Sequence, residues 1–155
     1  MARRRQAAAT ALGDAMQRYQ RSVQAFDDTV GCRLGLGPAD LRCLDWLVDG
    51  PRTAGALSTA AGLRPAATTA MIDRLERGGW VERVRSTEDR RQVLVRMTDL
   101  ARERTWAVYG PMVEEGMGLL ACFTVAELDS MTRHLDASRE LTDRHRDRLA
   151  ADEDS

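Results

Sequence analysis

The chain has 155 residues, 43% of them apolar and 30% charged, which suffices for one hydrophobic core and argues against a disordered chain. No apolar run approaches the roughly 18 residues needed to span a bilayer, and the arginine-led start MARRRQAAATALGDAM is broken by Gln6, Thr10 and Asp14, so it reads as a helix start in a cytoplasmic protein and not as an export signal. A net charge of −1 argues against a general nucleic-acid glue, but residues 1–37 and 64–96 each carry +3 while residues 97–155 carry −6, and all 23 basic residues are arginine.

Residues 5–30 are predicted to form a long helix. Leu12, Met16, Tyr19, Val23, Phe26 and Val30 line a seam with alternating spacings of four and three, a heptad-like stripe that needs a second helix against it. Gly31, Gly35 and Gly37 are expected to break that helix. Pro38 suits the first position of a second helix, with Asp40 in its first turn and Leu41, Leu44, Trp46, Leu47 and Val48 as its buried side. Asp49-Gly50-Pro51 stops it. Arg52 lies in a short extended link, and Thr53 caps a third helix, Ala54 to Ala61, anchored by Leu57 and ended by Gly62. Gly62-Leu63-Arg64 then makes the turn of a helix-turn-helix.

The most informative stretch follows. Pro65 opens a helix whose Met71, Ile72 and Leu75 share one face, and Gly78-Gly79 closes it before Trp80. Val81, Val84, Val93 and Val95 mark two short β segments. The segment between them, Arg85 to Arg91, is too polar to be core. A helix followed by a two-stranded ribbon with an arginine tip is a winged-helix pattern: the helix can lie in the DNA major groove while the tip reaches a neighbouring minor groove.

Beyond the ribbon, Thr98 caps a fifth helix with Asp99 in its first turn and the stripe Trp106, Tyr109, Met112, Val113, Met117 and Leu120. Pro111 is expected to kink this helix or to begin a fresh segment. Thr124 and Glu127 form a capping box for a last helix, striped by Leu128, Met131, Leu135, Leu141, His145 and Leu149. The acidic tail, Ala151 to Ser155, is expected to fray. The expected fold is mainly α with a small two- to three-stranded β wing. It comprises a winged helix-turn-helix over 38–98 and a helical region from 5–37 and 99–150, all within a single domain. The stripes of the first, fifth and last helices exceed what a small winged helix can cover, so a homodimer is expected, with two reading heads matching a palindromic operator.

Residues 63–98 resemble the DNA-binding core of the MarR (multiple antibiotic resistance regulator) transcription factors. The matching pieces are Ile72-Asp73-Arg74-Leu75-Glu76, Gly79-Trp80-Val81-Glu82-Arg83, and Asp89-Arg90-Arg91 followed by Val93-Leu94-Val95-Arg96-Met97-Thr98. The resemblance implies that Arg91 is the wing-tip arginine of the minor groove, where a narrow A·T-rich groove attracts a guanidinium. Asp89 would hold that guanidinium in a fork, and Arg90 would meet phosphate. On the reader helix the candidate DNA contacts are Arg64, Ala66, Ala67, Thr69, Ala70 and Arg74. Arg64 can fork onto guanine, Thr69 can touch a thymine methyl or a phosphate, and the alanine methyls suit thymine. Arg74 is either a phosphate clamp or a partner of Asp73. Arg52 and Thr53 are placed to face a backbone phosphate. The family commonly has serine near Ala66 and arginine near Ala70; both are missing, so DNA shape is expected to carry more of the specificity.

In resembling proteins, phenolic or aromatic acids lodge between reading head and dimer helices. The effector candidates here are Tyr19, Phe26, Trp46, Trp106, Tyr109 and Met112, although for any one of them plain core packing is the favoured reading. The chain has no phosphate loop, no GxGxxG and no supported Ser, His and Asp cluster, so enzymatic activity is not expected. His134 and His145 lie about three turns apart on one helix, too far to share a zinc ion, and no metal or cofactor is expected. Cys32, Cys43 and Cys122 lack CxxC or zinc spacing and are expected to be reduced, small buried residues. The alternative to a ligand-relieved repressor is a winged-helix interaction module that does not bind DNA.

Overall fold

The computed structural model describes residues 1–153. Its elements are α1 (Ala2–Leu34), α2 (Pro38–Val48), β1 (Arg52–Thr53), α3 (Ala54–Ala61), α4 (Pro65–Arg77), β2 (Val81–Arg85), β3 (Val93–Met97), α5 (Asp99–Leu119), a short 3-10 turn (Leu120–Cys122) and α6 (Val125–Glu153). The chain falls into two compact units, one from Met1 to Val108 and one from Tyr109 onward.

The core of the first unit is built where α2, α3, α4 and the sheet converge. Leu44, Leu47, Leu57, Met71, Ile72, Leu75, Val81 and Val95 are all almost fully buried. On α2 the buried set is Cys43, Leu44 and Leu47. Trp46 and Val48, expected on that side, are exposed instead, because their helical angle falls off the stripe that Cys43, Leu44 and Leu47 share. The three strands lie antiparallel in the order β1-β3-β2. The Arg52–Thr53 link is thus the third strand of the wing, with Arg52 opposite Val95 and Thr53 opposite Leu94.

Helix ends follow the residues that can close them. Thr53 Oγ1 accepts the Ala56 N–H at 3.1 Å, and Thr98 Oγ1 accepts that of Ala101 while donating to the Gly79 carbonyl at 2.7 Å. α4 ends with Gly79 at φ 73°, and the Trp80 N–H closes back on the Leu75 carbonyl at 2.9 Å.

Several expectations need correction. α1 starts at Ala2 and passes through Gly31, ending at Gly35 with φ 68°. A Cβ on Gly31 would lie 2.7 Å from the Leu36 carbonyl oxygen, so this glycine permits a close approach and does not break the helix. α5 runs through Pro111 without a fresh start, although Pro111 offers no N–H to the Ala107 carbonyl. Ser86, within the segment judged too polar for core, is buried, because its hydroxyl accepts the N–H groups of Glu88 and Asp89 and so has its own partners. Of the cysteines only Cys43 is buried; Cys32 and Cys122 lie on exposed helix or turn positions.

In the second unit, Thr124 and Glu127 form the expected capping box. The Thr124 N–H and hydroxyl both donate to Glu127 Oε2 at 2.8 Å, which holds that carboxyl below its usual pKa. Met131, Leu135, Leu141 and Leu149 of α6 stand exposed, as do Met112, Val113 and Met117 of α5. In the first unit Leu12 and Tyr19 of α1 are exposed as well. α6 extends to Glu153, so the expected fraying tail is helical up to there; residues 154–155 lie outside the described residues.

Candidate nucleic-acid interface

The interface is assembled from one helix face and one hairpin. On α4, Thr68, Met71, Ile72 and Leu75 face the core, which leaves Ala66, Ala67, Thr69, Ala70 and Arg74 exposed on the opposite side. All of the sequence-predicted reader residues therefore share an open face. Thr69 spends its hydroxyl proton on the Pro65 carbonyl at 3.1 Å, keeping its methyl and oxygen lone pairs available. Arg64, the N-cap, has no capping acceptor in its side chain, so the first-turn N–H groups of Ala66 and Ala67 point outward from the positive end of the helix dipole.

The ribbon supplies the second element. Glu82 pairs with Arg96, and Val84 with Leu94, on one face. Val81, Arg83 and Arg85 meet Met97, Val95 and Val93 on the other, and that face is buried at its root and exposed at its end. Between Arg85 and Val93 the hairpin closes by hydrogen bonds from Ser86 N–H to the Gln92 carbonyl at 3.0 Å and from Gln92 N–H to the Asp89 carbonyl at 2.9 Å. Arg90 and Arg91 sit at this tip, exposed.

Two pairings differ from expectation. Asp89 Oδ1 accepts the backbone N–H of Arg91 at 2.9 Å and does not hold its guanidinium, because an aspartate two residues back closes most readily on the backbone amide. Asp89 therefore shapes the turn and leaves the Arg91 guanidinium open. Arg74 does not pair with Asp73: its Nη2 lies 2.5 Å from Oδ1 of Asp40, a carboxylate only 4% exposed that also accepts the Gly37 N–H at 3.0 Å to cap α2, and its side chain stays 56% exposed. Asp73 pairs with Arg83 instead, at 2.5 Å, and the same guanidinium bonds Glu76.

These pairings divide the arginines of this region into two sets. Arg74, Arg83 and Arg96 are committed to Asp40, to Asp73 and Glu76, and to Glu82. Arg64, Arg77, Arg85, Arg90 and Arg91 have no acid partner among the described residues, although Arg77 donates its Nε to the Asp73 carbonyl at 3.2 Å. Asp73, Glu76 and Glu82 are thus neutralised internally, Glu88 and Asp89 stay at the wing tip, and Arg64, Arg85, Arg90 and Arg91 stand at the start of α4 and along the outer wing, where an anionic backbone would be met. Sequence reasoning passed over Arg85; the register of β2 against β3 was the signal that would have found it.

Arg52 and Thr53 are less open than expected. Thr53 is occupied as a cap, and Arg52 lines a cleft of about 230 Å³ with Asp45, Trp46, Val48 and Asp49, its Nε buried without a hydrogen-bond partner among the described residues. Of the effector candidates, Trp46 borders this cleft and Phe26 is half-buried, whereas Tyr19 and Trp106 are 70% and 56% exposed and Met112 is also exposed. Tyr109 is half-buried. A larger cleft of about 460 Å³, where α1 meets α2, is lined by Asp27, Asp28, Gly31, Cys32, Leu36 and Leu41 among others, and by none of the six candidates.

The model of the MarR family matches residues 34–92, which span α2, the helix-turn-helix and most of the wing. The chain is 31% identical over 125 residues to an uncharacterised HTH-type transcriptional regulator, YcgE, of Bacillus subtilis (strain 168), covering 80% of this chain and 81% of that one. The chain belongs to the MarR family. Members of this family are transcription regulators and not enzymes, and the winged helix-turn-helix of this MarR-family chain is a DNA-binding fold. Among solved structures it resembles RV1404 from Mycobacterium tuberculosis (25% identity, TM-score 0.60, 82% of this chain and 89% of that one). A MarR family protein from Bacillus stearothermophilus shares the fold (24% identity, TM-score 0.64, 86% of this chain and 95% of that one). No described helix is long and apolar enough to cross a membrane.

Proposed function

We propose that this MarR-family regulator acts in the cytoplasm as a homodimeric repressor of a palindromic operator, released by a small aromatic ligand. The observation that carries the DNA part is the set of exposed guanidinium groups without an acid partner, Arg64 at the start of α4 and Arg85, Arg90 and Arg91 on the outer wing, together with the open methyl face of α4. Arg91 enters the minor groove from the wing tip, Arg90 meets phosphate, and Ala66, Ala67, Thr69 and Ala70 press their methyl groups on the major groove. Arg64 adds the one fork able to read guanine. Dimerisation is supported by the exposed apolar stripes of α1, α5 and α6, and effector binding by the exposed aromatic rings of Tyr19, Trp46 and Trp106.

The test is a salt titration of binding to the duplex upstream of the protein's own gene. Arg91→Ala is expected to lower affinity by about 1–3 kcal/mol and to flatten the salt dependence by about one unit. Binding by the variant equal to that of the wild type would remove Arg91 from the interface. No binding by either protein to any duplex would favour the interaction-module reading.

A further inference from the structure

Arg83 is the one guanidinium in the described structure that bridges two elements of the reading head through two carboxylates. It stands on β2, and it bonds Asp73 and Glu76, one turn apart on α4. It also marks a boundary along the ribbon. On its face Val81, Val95 and Met97 are buried in the core, whereas Arg85 and Val93, one step outward, are exposed. Beyond Arg83 no hydrogen bond or ion pair links the wing to α4 among the described residues. The outer hairpin is therefore a cantilever beyond Val84 and Leu94, where β1 pairs for the last time through Thr53, and Arg83 is its outermost side-chain link to α4.

We infer that Arg83 is a positioning residue for DNA recognition: by clasping Asp73 and Glu76 it sets the angle between wing and reader helix, and so decides whether both grooves are met in one register. The leverage is geometric. At about 3.3 Å per residue the tip lies on the order of 15 Å beyond Arg83, so a tilt of about 10° displaces Arg91 by roughly 3 Å, the length of a hydrogen bond. Guanidinium suits the role because its planar fork can engage two carboxylates at once, which an ammonium at the end of a flexible chain cannot do with fixed geometry. The inference rests on the DNA-binding reading and adds to it a residue that touches no DNA.

The experiment uses the full-length protein, a duplex that the wild type selects from a random-sequence library, and a scrambled duplex of equal length. Anisotropy titrations give the affinity ratio of selected to scrambled DNA and the salt slope for each; thermal melts monitor folding. Arg83→Gln is expected to reduce the ratio about tenfold, near the cost of one misread base pair, with the scrambled-duplex affinity and its salt slope unchanged because no phosphate contact is removed. Asp73→Asn with Glu76→Gln, which leaves Arg83 in place, reproduces that loss, and Arg83→Lys gives an intermediate ratio while keeping charge and fold. Wild-type discrimination by the Asp73→Asn, Glu76→Gln double variant overturns the inference. So does an Arg83→Gln variant that loses both duplexes equally with a salt slope lowered by about one, since that describes a phosphate contact. A wild type that enriches no sequence while still binding DNA would remove the specificity on which the inference depends, and one that binds no DNA would sink the underlying reading.

Discussion

Cys43 shows how far a side chain's chemistry is set by its surroundings. Burial, reinforced by the neighbouring Asp40 carboxylate, pushes its thiol from the ordinary 9.0 up to about 12. The raised value favours the protonated folded state, so this contribution to stability is intact below pH 9 and is lost as pH rises towards 12. We expect Cys43 to resist thiol reagents at pH 8 until the chain is denatured, as read by mass spectrometry of trapped adducts, and unfolding midpoints to fall across that alkaline window. Labelling of Cys43 at the rate of an exposed thiol would contradict its burial. At this scale the sequence conveyed residue type and open face well: Ala66, Ala67, Thr69, Ala70, Arg90 and Arg91 are all accessible as expected. It did not convey pairing. Arg74 meets Asp40 across 34 positions of chain, a contact that only the packing of α2 on α4 creates, whereas the adjacent Asp73 was the obvious local choice. Asp89 was misassigned for the opposite reason, since a two-residue backbone turn outcompeted a side-chain fork.

The elements were more legible because their ends are written in single residues. Pro38, Thr53, Gly62, Pro65 and the Gly78-Gly79 pair stand where helices open and close. Gly79 is the sharpest case, since its φ of 73° lies where any side chain is strained. Gly79→Ala is expected to lower stability by about 1–2 kcal/mol, seen as a shifted urea midpoint with an unchanged slope. An unshifted midpoint would show that the turn after α4 relaxes at no cost. Two features escaped the residue pattern. Strand β1 is two residues long, too short to carry any alternation, and exists because β3 offers it an edge. Gly31 looked like a stop but permits contact with the Leu36 carbonyl, which depends on where the chain returns after α1.

For the whole molecule the telling quantity is what one chain leaves uncovered. Leu135 and Leu141 of α6 are 58% and 50% exposed, Met117 of α5 is 65%, and Leu149 is 68%. Such stripes are ordinary for a face that a second copy buries, and unusual for a lone monomer. Leu141→Glu is expected to turn a dimer into a monomer at micromolar concentration in sedimentation, and to weaken operator binding because the two heads no longer act together. A variant that sediments as the wild type does would move the interface elsewhere. The heptad-like spacing raised the expectation of a partner in the sequence, and the exposed stripes agree with it, while the surface that would answer them belongs to a second chain.

The four cations left open around the reading face are all arginine, and a guanidinium keeps its proton at any pH a cell experiences. It also offers nothing to lysine acetylation, the commonest chemical means of erasing a positive charge. A grip built this way has no volume control in its charge. In the proposed repressor, letting go of the double helix would therefore fall to changes in spacing, to the swing of one head against its twin, the variable that a small molecule lodged in the protein would alter.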